Sequence, residues 1–305
     1  MNAPQPRPRK YGNPDPRHTQ TPAAYGFDPD PQGHRVTPAF RMLQAAMKQR
    51  LTGPMPSQAS LKDALEAGPG ILFQLGLSAC VGFGIVGALE TYVAGLRLRG
   101  QPVPAFFENL IQTPGSPALS PLSVYDVARA VDREPFADGS LPAFEDLGSQ
   151  PNQAYRGIAE WGICPYAARP TVEGAVNREP SLSELQQGMT NLIQGPRAIV
   201  GSTNQRVQQL AAALAAGIPV SAGSEVTEAF EDFSGGDAIP APGPADYTFG
   251  GHYFYFVGFR TLGNGDYEFE IANSWSPQWG EGGYGRVTQM FAAQTSALYL
   301  ANLVV

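Results

Sequence analysis

Helical and strand periodicities are segregated along this chain, and that restricts its fold more than any other feature. "NQRVQQLAAALAAG" (204–217) carries Val207, Leu210 and Leu214 on one helical stripe. It stops at Gly217 with Pro219 just beyond, a helix C-terminal signal. After it the period changes: "IPVSAG", "HYFYFVGF" and "DYEFEIANSW" read as strands. Helices first and strands later predict an α+β architecture and argue against the alternating order that builds a parallel sheet. Upstream, "SACVGFGIVGALETYVAGLRL" (78–98) is apolar almost all round, which places a helix inside the core. Its glycines cost propensity and permit close packing. The uncharged run Leu75–Leu89 is shorter than the roughly 20 residues a membrane span needs. Between these segments the chain is loop-rich, with short helices predicted around Ser123–Val131 and Gln153–Trp161. No internal repeat is present.

Residues 1–55 form a proline-rich N-terminal extension, and residues 56–305 the globular domain. The extension reads as extended chain until docked. One helix is predicted at 37–51, with Thr37 as N-cap and Pro38 in the first turn. Its stripe Phe40, Leu43, Met47 and Leu51 needs a surface to cover. The domain is the nearest one, so the extension is expected to dock there and hinder the cleft, with a flexible tether to some partner as the alternative. The start of the chain lacks the apolar core of a secretory signal, so a cytoplasmic location is expected. The net charge is −7 and no basic cluster follows residue 20, so neither nucleic acid nor a membrane is an expected partner. Cys80 and Cys164 are too few for a disulfide framework and read as thiols. Three histidines at unrelated spacings suggest no metal site, and no cofactor is expected.

The chemistry centres on His252, the one histidine after residue 34. It opens the apolar strand "HYFYFVGF" behind two glycines. "LGNGD" is a turn signal, so this strand and "YEFEIA" form an antiparallel hairpin. If Phe259 pairs with Asp266, Phe254 faces Ile271, Phe256 faces Phe269 and His252 faces Asn273. Cross-strand neighbours lie about 5 Å apart, within reach of an amide–imidazole hydrogen bond. A two-residue turn at Asn264-Gly265 would instead set Asn273 opposite Phe256. An asparagine on one ring nitrogen fixes the tautomer and leaves the other nitrogen as a base. A base needs a nucleophile, and Cys80 stands at the predicted start of the central helix. There the helix dipole and an imidazolium would both favour a thiolate. Gln74 precedes the same helix and could join the Cys80 N–H in an oxyanion hole. Alone, Cys80 would read as a small buried hydrophobe and His252 as a core histidine with one hydrogen bond.

Gln74, Cys80, His252 and Asn273, in this order, resemble the papain-like cysteine proteases. "NSWSPQWGEGGYGRV" is similar to that family's Asn-Ser-Trp segment, and "GGH" to its approach to the histidine. "PLSVYDVAR" and "AYRGIAEWGICPY" resemble helical-half segments of bacterial members. The resemblance runs from about Pro56 to Val305. It implies a helical half and a β-barrel-like antiparallel half with the cleft between them, and cysteine endopeptidase activity on peptide or protein substrates. It also implies that Trp275 covers the Asn–His hydrogen bond, and that Ala222, Gly223 and Gly251 meet substrate. There are departures. Val81 stands where the family carries an aromatic residue, "LGLSAC" lacks the glycine–cysteine pair, and the disulfide cysteines are missing. Two rivals use overlapping residues: a catalytically inactive binding module on the same fold, and a transglutaminase-like acyl transferase.

Overall fold

In the computed structural model the described residues are 54–300, apart from 104, 109–112, 114–115, 132, 134–139, 142 and 192–196. The helix and apolar stripe predicted at 37–51 lie outside them. In chain order the elements are β1 (Gln58–Ser60), α1 (Lys62–Ala67), α2 (Cys80–Leu98), α3 (Ala105–Glu108), α4 (Pro121–Val131), α5 (Pro151–Trp161), α6 (Leu182–Gly188) and β2 (Arg197–Ala198). Then come α7 (Thr203–Ala215), β3 (Val220–Thr227), α8 (Glu228–Glu231), β4 (Thr248–Thr261), β5 (Tyr267–Ala272), β6 (Tyr284–Thr288), α9 (Gln289–Gln294) and β7 (Ser296–Leu300). The expected segregation holds: the longer helices precede residue 216, and the sheet's main strands follow it.

The central helix α2 is the hinge between the two halves. From Cys80 to Leu96 every residue except Tyr92 is buried. It is long and apolar enough to cross a membrane by length and composition, but here it is enclosed by the rest of the protein. Its glycines serve different neighbours. A Cβ on Gly82 would sit 2.1 Å from the Pro121 carbonyl of α4, and one on Gly84 would sit 2.7 Å from the Tyr253 ring of β4. One face therefore touches the helical layer and the other the sheet, each at closer range than any side chain would allow.

The sheet has seven strands, all antiparallel, in the order β2-β7-β3-β4-β5-β6, with β1 also paired to β4. Among the described residues it stays open, so the barrel-like half is a sheet that does not close on itself. Strand β4 organises it. Its first half pairs with β3, from Val220↔Phe256 to Thr227↔Thr248, and its second half with β5 and β1. Tyr253 packs into the helical core with Cys80, while Phe254 and Phe256 enter the sheet core with Phe291 of α9.

The hairpin register differs from both expectations. Phe259 faces Phe269 and Phe256 faces Ile271, with a bulge between Phe256 and Gly258. The turn is closed by the Leu262 N–H to the Asp266 carbonyl at 2.7 Å, with Gly265 at φ 88°. That is a three-residue loop using a left-handed glycine, in place of a two-residue turn. The extra residue at the bulge shifts the pairing again. Strand β5 ends at Ala272, opposite Tyr255, so Asn273 does not lie directly across from His252.

Candidate active site

Of the four residues predicted to do chemistry, Cys80 starts α2, His252 lies within β4, Asn273 directly follows β5 and Gln74 lies in the segment before α2. Cys80 is the first residue of α2. Its N-cap is Ala79, which makes no side-chain cap, and the first turn holds no acidic residue. The N–H groups of this uncapped end remain free of intrahelical partners. The backbone N–H groups of Val81, Cys80 itself and Tyr253 approach the thiol. Because Tyr253 follows His252, the thiol lies against the peptide that joins base to strand.

His252 lies in β4 opposite Ser224 and is 3% exposed. Its Nε2 is 2.7 Å from Asn273 Oδ1. The Ser274 N–H donates to the same oxygen at 2.7 Å, which fixes which end of the amide faces the ring. An acceptor on Nε2 makes Nε2 the protonated nitrogen and leaves a lone pair on Nδ1. Nδ1 is buried without a hydrogen-bond partner among the described residues. The contact is made despite the shifted register. β5 has ended, the backbone turns, and the Asn273 N–H bonds to the Gly283 carbonyl at 3.0 Å.

Gln74 is fully buried and tied to the same turn. Its N–H donates to the Ser274 carbonyl at 2.9 Å, and its Oε1 accepts the Ser274 hydroxyl at 2.6 Å. Its Nε2 donates to the Leu77 carbonyl at 2.7 Å, using one of two amide hydrogens. Phe73 bridges Trp275 in the same two-stranded contact. Ser274 thus joins Gln74 to Asn273, a link that sequence reading missed because Gln74 and Ser274 are 200 residues apart. Leu75 (φ 57°) and Ser276 (φ 80°) are the described non-glycine residues in the left-handed region. They directly follow Gln74 and Trp275, the pattern of backbone strain held at a site.

The Trp275 ring lies 4.5 Å from His252, and Phe230, which carried no sequence signal, packs on both. Gly251 is exposed next to His252, with nothing within 4 Å of where a Cβ would stand. Ala222 is fully buried in the sheet core. A Cβ on Gly223 would meet Ser296 Oγ at 2.9 Å and the Tyr253 ring at 3.4 Å. Both lie in β3, paired in the sheet with Phe254 and Tyr253 of β4. Cys164 is a free buried thiol in the helical half. Among the described residues no group of His, Cys, Asp and Glu could hold a metal ion.

Burial dominates the electrostatics. It pushes the Cys80 thiol up to about 11, against the three N–H contacts that pull it down. It pushes the His252 imidazole down to about 4, against the Asn273 hydrogen bond. Burial therefore disfavours a lone thiolate and a lone imidazolium.

A long buried helix set against an antiparallel sheet, with a thiol at the helix start and a histidine–asparagine pair on the sheet, defines a papain-like fold. Solved structures agree. Xylellain, a cysteine protease from Xylella fastidiosa, aligns over 100% of both chains with a TM-score of 0.63 at 17% identity. The proform of the ragweed pollen cysteine protease Amb a 11 aligns over 83% of this chain and 68% of its own, with a TM-score of 0.56 at 18% identity. Bromelain from Ananas comosus, in complex with the inhibitor E64, aligns over 80% and 97%, with a TM-score of 0.53 at 16% identity. No curated protein matches the chain. The family model for papain family cysteine proteases matches residues 147–299, half of the sequence. The chain belongs to that family and is a cysteine peptidase. The matched span contains His252 and Asn273 but starts after Gln74 and Cys80.

Proposed function

We propose that this protein hydrolyses peptide bonds with Cys80 as nucleophile, His252 as base, Asn273 as the residue that orients the base, and Gln74 as an oxyanion donor. One observation carries the reading: the His252–Asn273 hydrogen bond at 2.7 Å leaves Nδ1 as a buried base with nothing to accept from. Sγ attacks the substrate carbonyl carbon while its proton passes to Nδ1, and the carbonyl oxygen takes the negative charge. The Cys80 N–H and the second hydrogen of the Gln74 amide receive that oxygen; one such donor typically contributes about 10²–10³ in rate. Nδ1 returns its proton to the departing amine, leaving a thioester on Cys80. Water, deprotonated by the same nitrogen, then cleaves the thioester and frees the acid.

The test is covalent labelling with an epoxide thiol inhibitor, mapped by mass spectrometry. One adduct on Cys80, formed in step with loss of peptidase activity, is expected. A Cys80 that stays unlabelled while peptidase activity persists would rule the reading out. Labelling of Cys80 with amine incorporation and no hydrolysis would make the enzyme an acyl transferase.

A further inference from the structure

A carboxylate stands just ahead of the nucleophile helix. Asp146, in the segment between α4 and α5, accepts the Ser78 N–H with both oxygens at 3.1 Å, across 68 residues of chain. Its Oδ1 also accepts the Tyr125 hydroxyl at 2.8 Å, and that hydroxyl accepts the Gly148 N–H at 2.9 Å. Arg129, one turn further along α4, donates to the Glu145 carbonyl at 2.7 Å and lies 4.0 Å over the Phe144 ring. So α4 grips residues 144–148 at several points, and Asp146 extends that grip to the peptide two residues before Cys80.

The position has a chemical reason. The start of α2 carries no side-chain cap and no acidic residue. A cap there would take up N–H groups that approach the thiol. Anchoring the chain at Ser78 instead leaves them free. The charge of Asp146 also acts to raise the thiol, opposing the N–H groups of Tyr253, Val81 and Cys80. His252 on β4 directly precedes Tyr253, and the phenols of Tyr253, Tyr155 on α5 and Tyr299 on β7 share the buried cluster of Cys80. Burial pushes all three phenols up, so they stay neutral in the working range.

We propose that Asp146 is a positioning residue for Cys80: its carboxylate ties the start of the nucleophile helix to the 144–148 segment. This rests on the reading of Cys80 as the nucleophile.

The experiment compares wild type, Asp146→Asn and Asp146→Ala in the full chain. It measures iodoacetamide alkylation of Cys80, read on the Cys80 peptide across pH 6–8, together with kcat and KM on a fluorogenic peptide. Asp146→Asn keeps an acceptor for the Ser78 N–H and removes the charge. Its kcat and its Cys80 alkylation rate should both stay within about threefold of wild type. Asp146→Ala loses the acceptor, and its kcat should fall about tenfold with KM little changed. An Asp146→Asn protein whose kcat falls as far as that of Asp146→Ala, or an Asp146→Ala protein with wild-type kcat, would overturn the proposal. Should Asp146→Ala not fold, hydrogen exchange of the wild-type Ser78 amide decides: protection supports the anchor, and exchange as fast as an exposed amide overturns it. A wild-type Cys80 that never alkylates would instead sink the nucleophile reading, and this proposal with it.

Discussion

At the scale of residues, burial keeps both the thiol and the imidazole of the proposed site neutral. With His252 lowered to about 4 and Cys80 raised to about 11, neither is charged alone across the range between, and the proposed transfer moves the thiol proton only. The pH profile of kcat/KM should therefore be a broad bell. Its acid limb should fall well below the ordinary histidine value of about 6.5, because adding the second proton requires charging a buried ring. An acid limb at about 6.5 would mean that His252 titrates as an open surface group. Folding stability follows the same shift. The unfolded chain takes up the histidine proton first, so stability is lost as pH falls from about 6.5 through 4, by about 3 kcal/mol in all. Cys80, His252, Asn273 and Gln74, the residues of the proposed site, could be singled out in the sequence because each chemistry needs a particular residue type. Ser274 and Asp146 were not. A serine and an aspartate in loops carry no period, and their partners lie 200 and 68 residues away.

Among the elements, the decisive contact is α2 against β4, since it sets the thiol beside the histidine strand. It depends on Gly84, where a Cβ would lie 2.7 Å from a Tyr253 ring buried to 2% exposure. Gly84→Val should therefore cost about 1–3 kcal/mol, seen as a lower urea midpoint, and reduce kcat about tenfold or more by pushing β4 away from Cys80. Gly263→Ala, with nothing within 4 Å of the new methyl, serves as the control and should change neither. A Gly84→Val protein with wild-type midpoint and activity would show that the two elements do not position each other. The sequence announced α2 by its all-round apolar character and the strands by their alternation. It misplaced the β4–β5 register because "HYFYFVGF" is buried on both faces. When every position is buried, alternation no longer says which residues pair. The bulge between Phe256 and Gly258 left no mark that a pattern could show.

At the level of the whole molecule, the helical half holds Cys80 and the sheet half His252. Gln74–Ser274 is one of the bonds that tie them together. The order of periodicities along the chain was enough to predict two halves, but not that the sheet would remain open, since closure depends on pairings distant in sequence. The claim that unites the account is that the thiol at the start of the central helix performs the peptidase chemistry. The most direct test is kcat/KM of Cys80→Ala on a fluorogenic peptide, beside wild type, with circular dichroism and the urea midpoint confirming an unchanged fold. The account predicts a loss of about 10⁴-fold or more, as when a covalent nucleophile is removed from a hydrolase. A folded Cys80→Ala protein that cleaves within tenfold of the wild-type rate would contradict it.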